Sequence, residues 1–379
     1  MVLGRYYGAI EILRLGKVLA VHLLKPHRVL STCRVAGGIR EDLQWVCNHQ
    51  ACEPAGHGLA HRLWADPVAY RELICSPHGI DPERTALLGT AASMTNAAIA
   101  TAEGKGLVVV AACTAGVESN ATAPGDPPAV HEPEGGRFET LEQPGTIVTM
   151  LFINREVSPG ALVRAAITAT EAKSAVLMRL GVGSCYSPEP ATGTGTDQLA
   201  IGSLLNTGRP LTGTGGHTLL GQLIAQAVSK AISRALELQN RMTPASQCSL
   251  LAVLKRLGIS SQLELVELIG SYLPPFYKEL LSRNHLPITH DGPTVAATTA
   301  LVCLWDRLRW GLLPTECAPE ILGRAAAQIA AAASAWAWEP PQLSPPTPRL
   351  PTAQELAELV GKAVAEGFQH KWPPEGDET

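Results

Sequence analysis

The sequence predicts an α+β fold, in which a layered sheet-and-helix domain is followed by a C-terminal helical appendage. Short β-rich runs separated by turns dominate roughly the first two hundred residues, whereas apolar residues recur at helical spacing after Gly221. Strands and helices do not alternate regularly, which argues against a doubly wound parallel sheet. We therefore expect one domain over residues 1–240, a helical region over residues 241–338, and a Pro-rich linker with a C-terminal tail over residues 339–379.

The composition is that of a core-forming protein with little net charge. Hydrophobic residues make up 46%, charged residues 17%, and the formal net charge is −4, so the sequence indicates neither a disordered chain nor a nucleic-acid-binding protein. The N-terminus lacks a signal-peptide pattern and no apolar run is long enough to cross a bilayer, so we expect a cytoplasmic protein without a membrane span. The nine cysteines are then expected to be reduced thiols. A homo-oligomer is compatible with these features.

Local signals indicate where the elements begin and end. Asp66 and Asp81 each precede a proline, which is typical of helix starts because the carboxylate caps the first turn. Ser158 before Pro159 predicts another helix, which should continue to Leu180 and stop at Gly181. The expected strands cover residues 9–14, 17–23, 28–35, 95–101, 107–114, 146–154 and 197–204, and the further helices cover residues 221–237, 250–272 and 352–368, the last with Thr352 as its cap.

Four polar clusters in the first 220 residues are candidates for chemistry. The first, residues 114–121 (TAGVESNA), follows an apolar strand and offers backbone N–H groups and short polar side chains for binding an amide. Its candidate binding residues are Thr114, Gly116, Ser119 and Asn120. The alternative is a turn held by local side-chain bonds.

The second cluster lies in the helix that begins at Pro159. A helical wheel places Lys173 on the apolar stripe and Glu171 on the opposite side. A lysine on an apolar stripe is costly unless its ammonium group is paired, so Lys173 and Glu171 are candidate catalytic residues. The alternative for Lys173 is that its ammonium group reaches the solvent at the rim of the sheet.

The third and fourth clusters are Gly/Thr loops. In residues 191–197 (ATGTGTD), the glycines allow a ligand to approach the backbone, Thr192, Gly193 and Thr194 are candidate binding residues, and Thr196 and Asp197 are candidate catalytic residues. Asp197 is also the natural partner for Lys173. In the fourth cluster, His217 precedes a helix and is a candidate base or hydrogen-bond donor. The alternatives are a flexible loop for the third cluster and helix capping for His217.

Cysteine and histidine also gather in one short segment. Structural zinc sites usually have four ligands with paired short spacings, and the spacings in this segment are irregular. We therefore expect no metal and no cofactor, and no zinc site in this segment. The residues concerned are Cys47, His49, Cys52, His57 and His61.

Several of these segments, taken in order, resemble the signature of the adenosylcobinamide amidohydrolase (CbiZ) family. The resemblance covers roughly residues 20 to 235, and several matches in sequence are far more specific than one Gly-rich loop. The central segments are residues 114–121, 144–147 (PGTI), 158–163 (SPGALV), 168–173 (TATEAK) and 191–197, and the flanking ones are residues 29–32 (VLST), Gly37-Gly38 and residues 215–217 (GGH).

The resemblance implies hydrolysis of the amide between aminopropanol and the corrin ring of adenosylcobinamide, which gives adenosylcobyric acid for cobalamin salvage. Within such a reaction we expect Asp197 to act as a base or to orient another group, Thr194 or Thr196 as a nucleophile, and Lys173 as oxyanion holder or proton donor. Two alternatives stay open: a self-processing Thr-nucleophile hydrolase, and a corrinoid-binding protein without hydrolase activity.

Overall fold

A computed structural model describes residues 1–52, 65–128, 145–335, 340, 343 and 349–372 of the chain. The chain divides into two compact units, residues 1–242 and residues 243–379. The strands of the first unit are β1 (Val2–Tyr6), β2 (Ile10–Leu15), β3 (Val18–Leu23), β4 (His27–Ser31), β5 (Gly38–Arg40), β6 (Trp45–Gln50), β7 (Thr85–Thr90), β8 (Ala98–Gly104), β9 (Leu107–Ala115), β10 (Ala121–Thr122), β11 (Ile147–Ile153), β12 (Gly193–Thr194) and β13 (Gln198–Leu204).

Two mixed sheets pack face to face in this unit. The first sheet has the strand order β1-β2-β3-β6-β7, and the second has the order β5-β4-β13-β11-β9-β8. Side chains alternate along each strand, so that Val148, Met150 and Phe152 of β11 face the first sheet while Ile147 and Leu151 face the opposite way. The apolar layer between the sheets is one core of the unit.

Helices cover the outer face of each sheet. They are α1 (Pro67–Cys75), α2 (Pro159–Arg179) and α3 (Leu219–Asn240). Tyr70 and Ile74 of α1 pack on the first sheet, and α2 and α3 pack on the second sheet through residues such as Leu162 and Ala231. The unit is therefore a four-layered α+β structure, and the predicted fold class is confirmed.

The local expectations are mostly confirmed. Ser158 caps α2 by accepting a hydrogen bond from the Ala161 backbone N–H, and Gly181 adopts the left-handed conformation (φ 65°) after the helix. The expected helix start at Asp81 is wrong, because Asp81 caps only one 3₁₀ turn before β7 begins. The expected strand over residues 28–35 ends at Ser31.

The second unit is helical throughout its described residues. Its helices are α4 (Pro244–Gln247), α5 (Leu250–Leu254), α6 (Gln262–Gly270), α7 (Pro275–Asn284), α8 (Leu286–Thr289), α9 (Gly292–Arg309), α10 (Ala318–Ser334) and α11 (Ala353–Lys371). The helix expected over residues 250–272 is interrupted, because Gly258 takes a left-handed conformation (φ 99°). The predicted cap at Thr352 is confirmed, since Thr352 and Glu355 form a capping box. A Cβ at Gly367 would lie 2.2 Å from the Ala330 carbonyl oxygen, so glycine permits α10 and α11 to pack closely.

Two buried histidines of the first unit are held neutral. The Nδ1 atom of His27 lies 2.7 Å from the Lys25 carbonyl oxygen, which can only accept, so Nδ1 donates and Nε2 accepts from the Tyr7 hydroxyl. The Nδ1 atom of His49 lies 2.6 Å from the Tyr70 hydroxyl oxygen. Burial lowers the pKa of each imidazole to about 4. Both groups therefore contribute stability above their unfolded pKa of about 6.5 that is lost as the pH falls towards 4.

In the part of the chain that the structure describes, no helix is both long and apolar enough to span a membrane. The segment 336–348 is largely outside the described residues, as is the C-terminus from residue 373. The expected Pro-rich linker falls mostly in the first of these segments.

Candidate active site

Four strand ends of the second sheet meet at one edge. Strand β9 runs antiparallel to β11, β13 runs parallel to β11, and β4 runs antiparallel to β13. The carboxyl ends of β9 and β4 therefore lie beside the amino ends of β11 and β13. At the same edge β10 pairs with β12, with Ala121 opposite Thr194. The first and third polar clusters, which are some seventy residues apart in sequence, are thus brought together.

Lys173 of α2 and Asp197 form an ion pair at this edge. The Lys173 Nζ atom donates a hydrogen bond to Oδ2 of Asp197, and the two side chains are 14% and 19% exposed. The neighbouring α2 residues Ala169, Ala172 and Val176 are buried in the core. The predicted contact between Lys173 and Asp197 is confirmed.

The Asp197 carboxylate accepts three further hydrogen bonds. They come from the Ile147 backbone N–H (3.0 Å), the Thr194 backbone N–H (3.1 Å) and the Thr194 hydroxyl (2.6 Å). A carboxylate offers about four lone-pair sites, and four donors occupy those of Asp197. This geometry fixes the carboxylate and leaves it little capacity to accept a proton from water.

Gly193 lies directly beneath the ion pair. A Cβ built at this position would be 2.5 Å from Oδ2 of Asp197 and 2.6 Å from Nζ of Lys173. Real Cβ atoms do not approach so closely, so any larger residue would push the two groups apart. Glycine at this point in the Gly/Thr loop therefore leaves the space that the ion pair occupies.

A neutral hydrogen-bond network surrounds Thr196. Its hydroxyl donates to the Gly145 carbonyl oxygen (2.8 Å) and lies 2.5 Å from the Thr146 hydroxyl. Asn120 donates to the same carbonyl oxygen (2.8 Å) and accepts from the Tyr186 hydroxyl (2.8 Å). Burial, together with Cys185 and Asp126, raises the pKa of Tyr186, so this phenol remains a donor.

An open cavity of about 690 Å³ lies between α2 and this edge of the second sheet. Most of its wall is apolar and includes Val163 and Ile167 of α2, which are 52% and 44% exposed. Lys173 and Asp197 lie in the wall, and Glu171 also lines the cavity. A broad apolar cavity with few polar groups is typical of sites for large organic ligands.

The remaining candidate residues lie in different positions. Thr114 is buried between the sheets and accepts a hydrogen bond from Asn48 (2.9 Å), because the alternation of β9 turns it away from α2. The Gly116 backbone N–H donates to the Thr146 carbonyl oxygen, and Ser119 lies in the turn before β10. The Thr192 carbonyl oxygen accepts from Ser174 of α2 at 3.0 Å, so this residue ties the loop to the helix.

Glu171 and His217 lie on more exposed surfaces. The Glu171 side chain is 57% exposed, and its carboxylate is 3.7 Å from the Arg164 guanidinium. His217 is exposed and does not line this cavity. The α3 helix is capped by Thr218, whose hydroxyl accepts from the Gly221 backbone N–H.

The cysteine and histidine segment is only partly within the described residues, because His57 and His61 lie outside them. Cys47 is fully buried beneath α1, and His49 is bonded to Tyr70. No three cysteine, histidine or acidic side chains within the described ranges are close enough to share a metal ion.

Sequence reasoning missed several residues of the site. Gly145 and Thr146 belong to a segment that was used for the family resemblance, and a Thr at the start of a buried strand was a usable signal. Tyr186 lies in a segment without any motif. Its position follows only from the packing of the folded chain.

A sequence model of the adenosylcobinamide amidohydrolase (CbiZ) family matches residues 4–244. The chain belongs to this family. The CbiZ match contains all of the site residues above and ends at the boundary between the two units. An uncharacterised protein of Methanocaldococcus jannaschii, MJ1613, is 33% identical over 238 residues, which are 60% of this chain and 88% of that relative.

Among solved structures, the crystal structure of the PH0078 protein from Pyrococcus horikoshii OT3 is 13% identical to the chain and matches with a TM-score of 0.29. The match covers 61% of this chain and 83% of that one.

Proposed function

We propose that this CbiZ family member hydrolyses the amide between aminopropanol and the corrin ring of adenosylcobinamide. The products are adenosylcobyric acid, which re-enters cobalamin synthesis, and aminopropanol. Family membership supports the substrate and the reaction. The observation that carries the chemistry is the Lys173–Asp197 pair in the wall of an open, mostly apolar cavity.

Lys173 is the group that stabilises the developing negative charge. When water adds to the amide carbon, the carbonyl oxygen becomes an oxyanion that needs a fixed positive group nearby. The hydrogen bond to Asp197 holds the ammonium group in place. Asp197, with its four donors, acts in this proposal as a positioning residue and not as the base.

Glu171 is the better candidate for the general base. Among the described residues two carboxylates line the cavity, those of Asp197 and Glu171, and only Glu171 has lone pairs that are not taken by close donors. Glu171 would accept a proton from water as the water oxygen bonds to the carbonyl carbon. When the C–N bond breaks, this proton passes to the leaving nitrogen, and the former carbonyl carbon becomes a carboxylic acid.

Water suits the geometry better than a threonine nucleophile. A threonine hydroxyl must be activated by an adjacent base. The described contacts of the Thr196 hydroxyl are a carbonyl oxygen, a second hydroxyl and an amide. The Thr194 hydroxyl donates a hydrogen bond to Asp197, but Thr194 is only 7% exposed and does not line the cavity. These contacts support a role for both threonines in holding the loop.

The test is to incubate the purified chain with adenosylcobinamide in ¹⁸O-labelled water and to analyse the products by mass spectrometry. We expect adenosylcobyric acid with a single ¹⁸O in its new carboxyl group, and free aminopropanol. Glu171→Gln should lower turnover about a hundredfold. Binding of the corrinoid without any release of aminopropanol would refute the proposed reaction.

Two checks separate the alternatives. A self-processing hydrolase would give two fragments on a denaturing gel, cut before Thr194 or Thr196, whereas we expect one intact chain. A corrinoyl group attached to a peptide that contains Thr196 would show that this threonine, and not water, attacks the amide.

A further inference from the structure

A second cavity adjoins the first at the ion pair. It has a volume of about 180 Å³, and its wall includes Arg71, Thr196 and Pro67, the first residue of α1. Thr32, Asp197 and Gln198 line both cavities, so the two spaces share a wall at Asp197. One water molecule needs only about 10–15 Å³, so this cavity has room for a polar group of a ligand.

Arg71 brings a buried positive charge to this cavity. Its side chain is 4% exposed, and its Nη2 atom donates to the carboxylate of Glu83, a side chain that is 80% exposed. The Nε and Nη1 atoms are buried and have no hydrogen-bond partner among the described residues. A guanidinium group carries five N–H donors and stays protonated, and buried donors are normally paired. Arg71 therefore has donors available to a ligand.

The other anion in the wall cannot take up these donors. The Asp197 carboxylate already accepts from Lys173, from Ile147 and twice from Thr194. Guanidinium donors favour planar or tetrahedral oxyanions over neutral groups.

We infer that the cavity beside Arg71 is an oxyanion subsite, which binds a carboxylate or phosphate group through the guanidinium of Arg71. The group can arrive as a free small anion or as part of the bound corrinoid. In the second case the inference rests on the proposed function, because amide hydrolysis converts a neutral amide into a carboxylate at the wall that the two cavities share.

The first experiment measures binding of inorganic phosphate and of acetate to the full chain by isothermal titration calorimetry at constant ionic strength. Arg71→Gln should weaken binding of both anions by about ten- to a hundredfold, because charge-assisted hydrogen bonds are lost. Arg5→Gln is the matched control, since Arg5 is 73% exposed on β1 and its loss changes the net charge equally. The control should bind as the wild type does.

Arg71→Lys covers the case in which Arg71→Gln does not fold. Lysine keeps the charge but loses the planar donors, so binding should still weaken about tenfold. The inference is overturned if the wild type binds neither anion, or if a folded Arg71 variant binds them as the wild type does. Arg71 would then serve only to attach α1 to Glu83.

The second experiment separates the two sources of the anion. Inhibition by adenosylcobyric acid should weaken about tenfold in Arg71→Gln if the corrinoid carries the group, while KM for adenosylcobinamide, whose scissile amide is uncharged, stays nearly unchanged. Equal inhibition of both proteins, with phosphate binding lost, assigns the subsite to free anions. If the protein binds phosphate through Arg71 but hydrolyses no corrinoid, the subsite stands and the proposed function fails.

Discussion

Replacing Lys173 with methionine should remove most amide hydrolysis while leaving the protein folded. Methionine keeps the aliphatic volume beside Ala169 and Ala172 but removes the ammonium group that Asp197 holds. Asp197→Asn keeps the shape of the side chain but replaces one charged acceptor with an amide. Lys173 would then be 14% exposed without its anionic partner.

The size of the effect follows from the partners that each variant loses. A hydrogen bond to a charged group contributes about 1.5–3 kcal/mol to stability, so each variant should unfold at lower urea concentration yet remain folded. Loss of a group that stabilises the oxyanion costs about 3 kcal/mol in the transition state, or roughly a hundredfold in kcat. Because Asp197 acts through Lys173, the double variant should lose about a hundredfold as well, and not the roughly ten-thousandfold of two independent groups.

Release of aminopropanol at saturating substrate gives kcat, and circular dichroism checks the fold. Lys230→Met on the exposed side of α3 and Asp42→Asn, whose side chain is 59% exposed, are matched controls for the two substitutions. Near-normal kcat in folded Lys173→Met and Asp197→Asn proteins would refute the assignment of this site. Losses that multiply in the double variant would show instead that Asp197 has a chemical role of its own.

Three further predictions rest on other parts of the structure. Gly193→Ala should abolish most turnover by forcing the ion pair apart, whereas Gly216→Ala, with no atom within 4 Å of the new Cβ, should be nearly silent in the same assay. The free energy of unfolding, measured with urea, should fall by about 4 kcal/mol between pH 7.5 and pH 5, because His27 and His49 protonate in the unfolded state. Asparagine at either position should remove about half of this decrease. A free energy of unfolding that does not change over this pH range would contradict the prediction. Incubation with a chelator should leave activity nearly unchanged because Cys47 is buried beneath α1, and a loss restored by zinc alone would show that this segment binds a functional metal.

The features that the sequence predicts well depend on local chemistry. The bounds of α2 follow from Ser158 and Pro159 at its start and Gly181 at its end, and all three signals act within a few residues. The contact between Lys173 and Asp197 follows from a simple requirement, since an ammonium group beside an apolar stripe needs an anion and the helix itself offers none on that face. The catalytic roles of these residues stay predictions.

The features that the sequence does not reveal depend on contacts between distant segments. Strands β6 and β7 form a parallel pair joined through α1. The capping pattern at Asp81 predicts a helix wrongly, because a 3₁₀ turn uses the same cap as an α-helix. The pairing of the Arg71 donors is equally invisible in the sequence, since it depends on how α1 packs against the first sheet. The four polar clusters have the same exposed character in the sequence, and only packing shows that Thr114 faces the interior.

The position of the site follows from the mixed direction of the strands. In an open parallel sheet, ligands bind at the carboxyl ends of the strands, whereas here the site lies at the amino ends of the parallel pair β11 and β13. The antiparallel neighbours β9 and β4 bring their carboxyl ends to the same edge, and with them the loops that hold Asn120 and Thr32. The first N–H of β11 anchors Asp197, and α2, which connects β11 to β13, supplies Lys173. One crossover connection therefore provides both the helix that covers this face of the sheet and the cation of the site. A substitution that shifts α2 on the sheet should for this reason reduce turnover before it unfolds the protein.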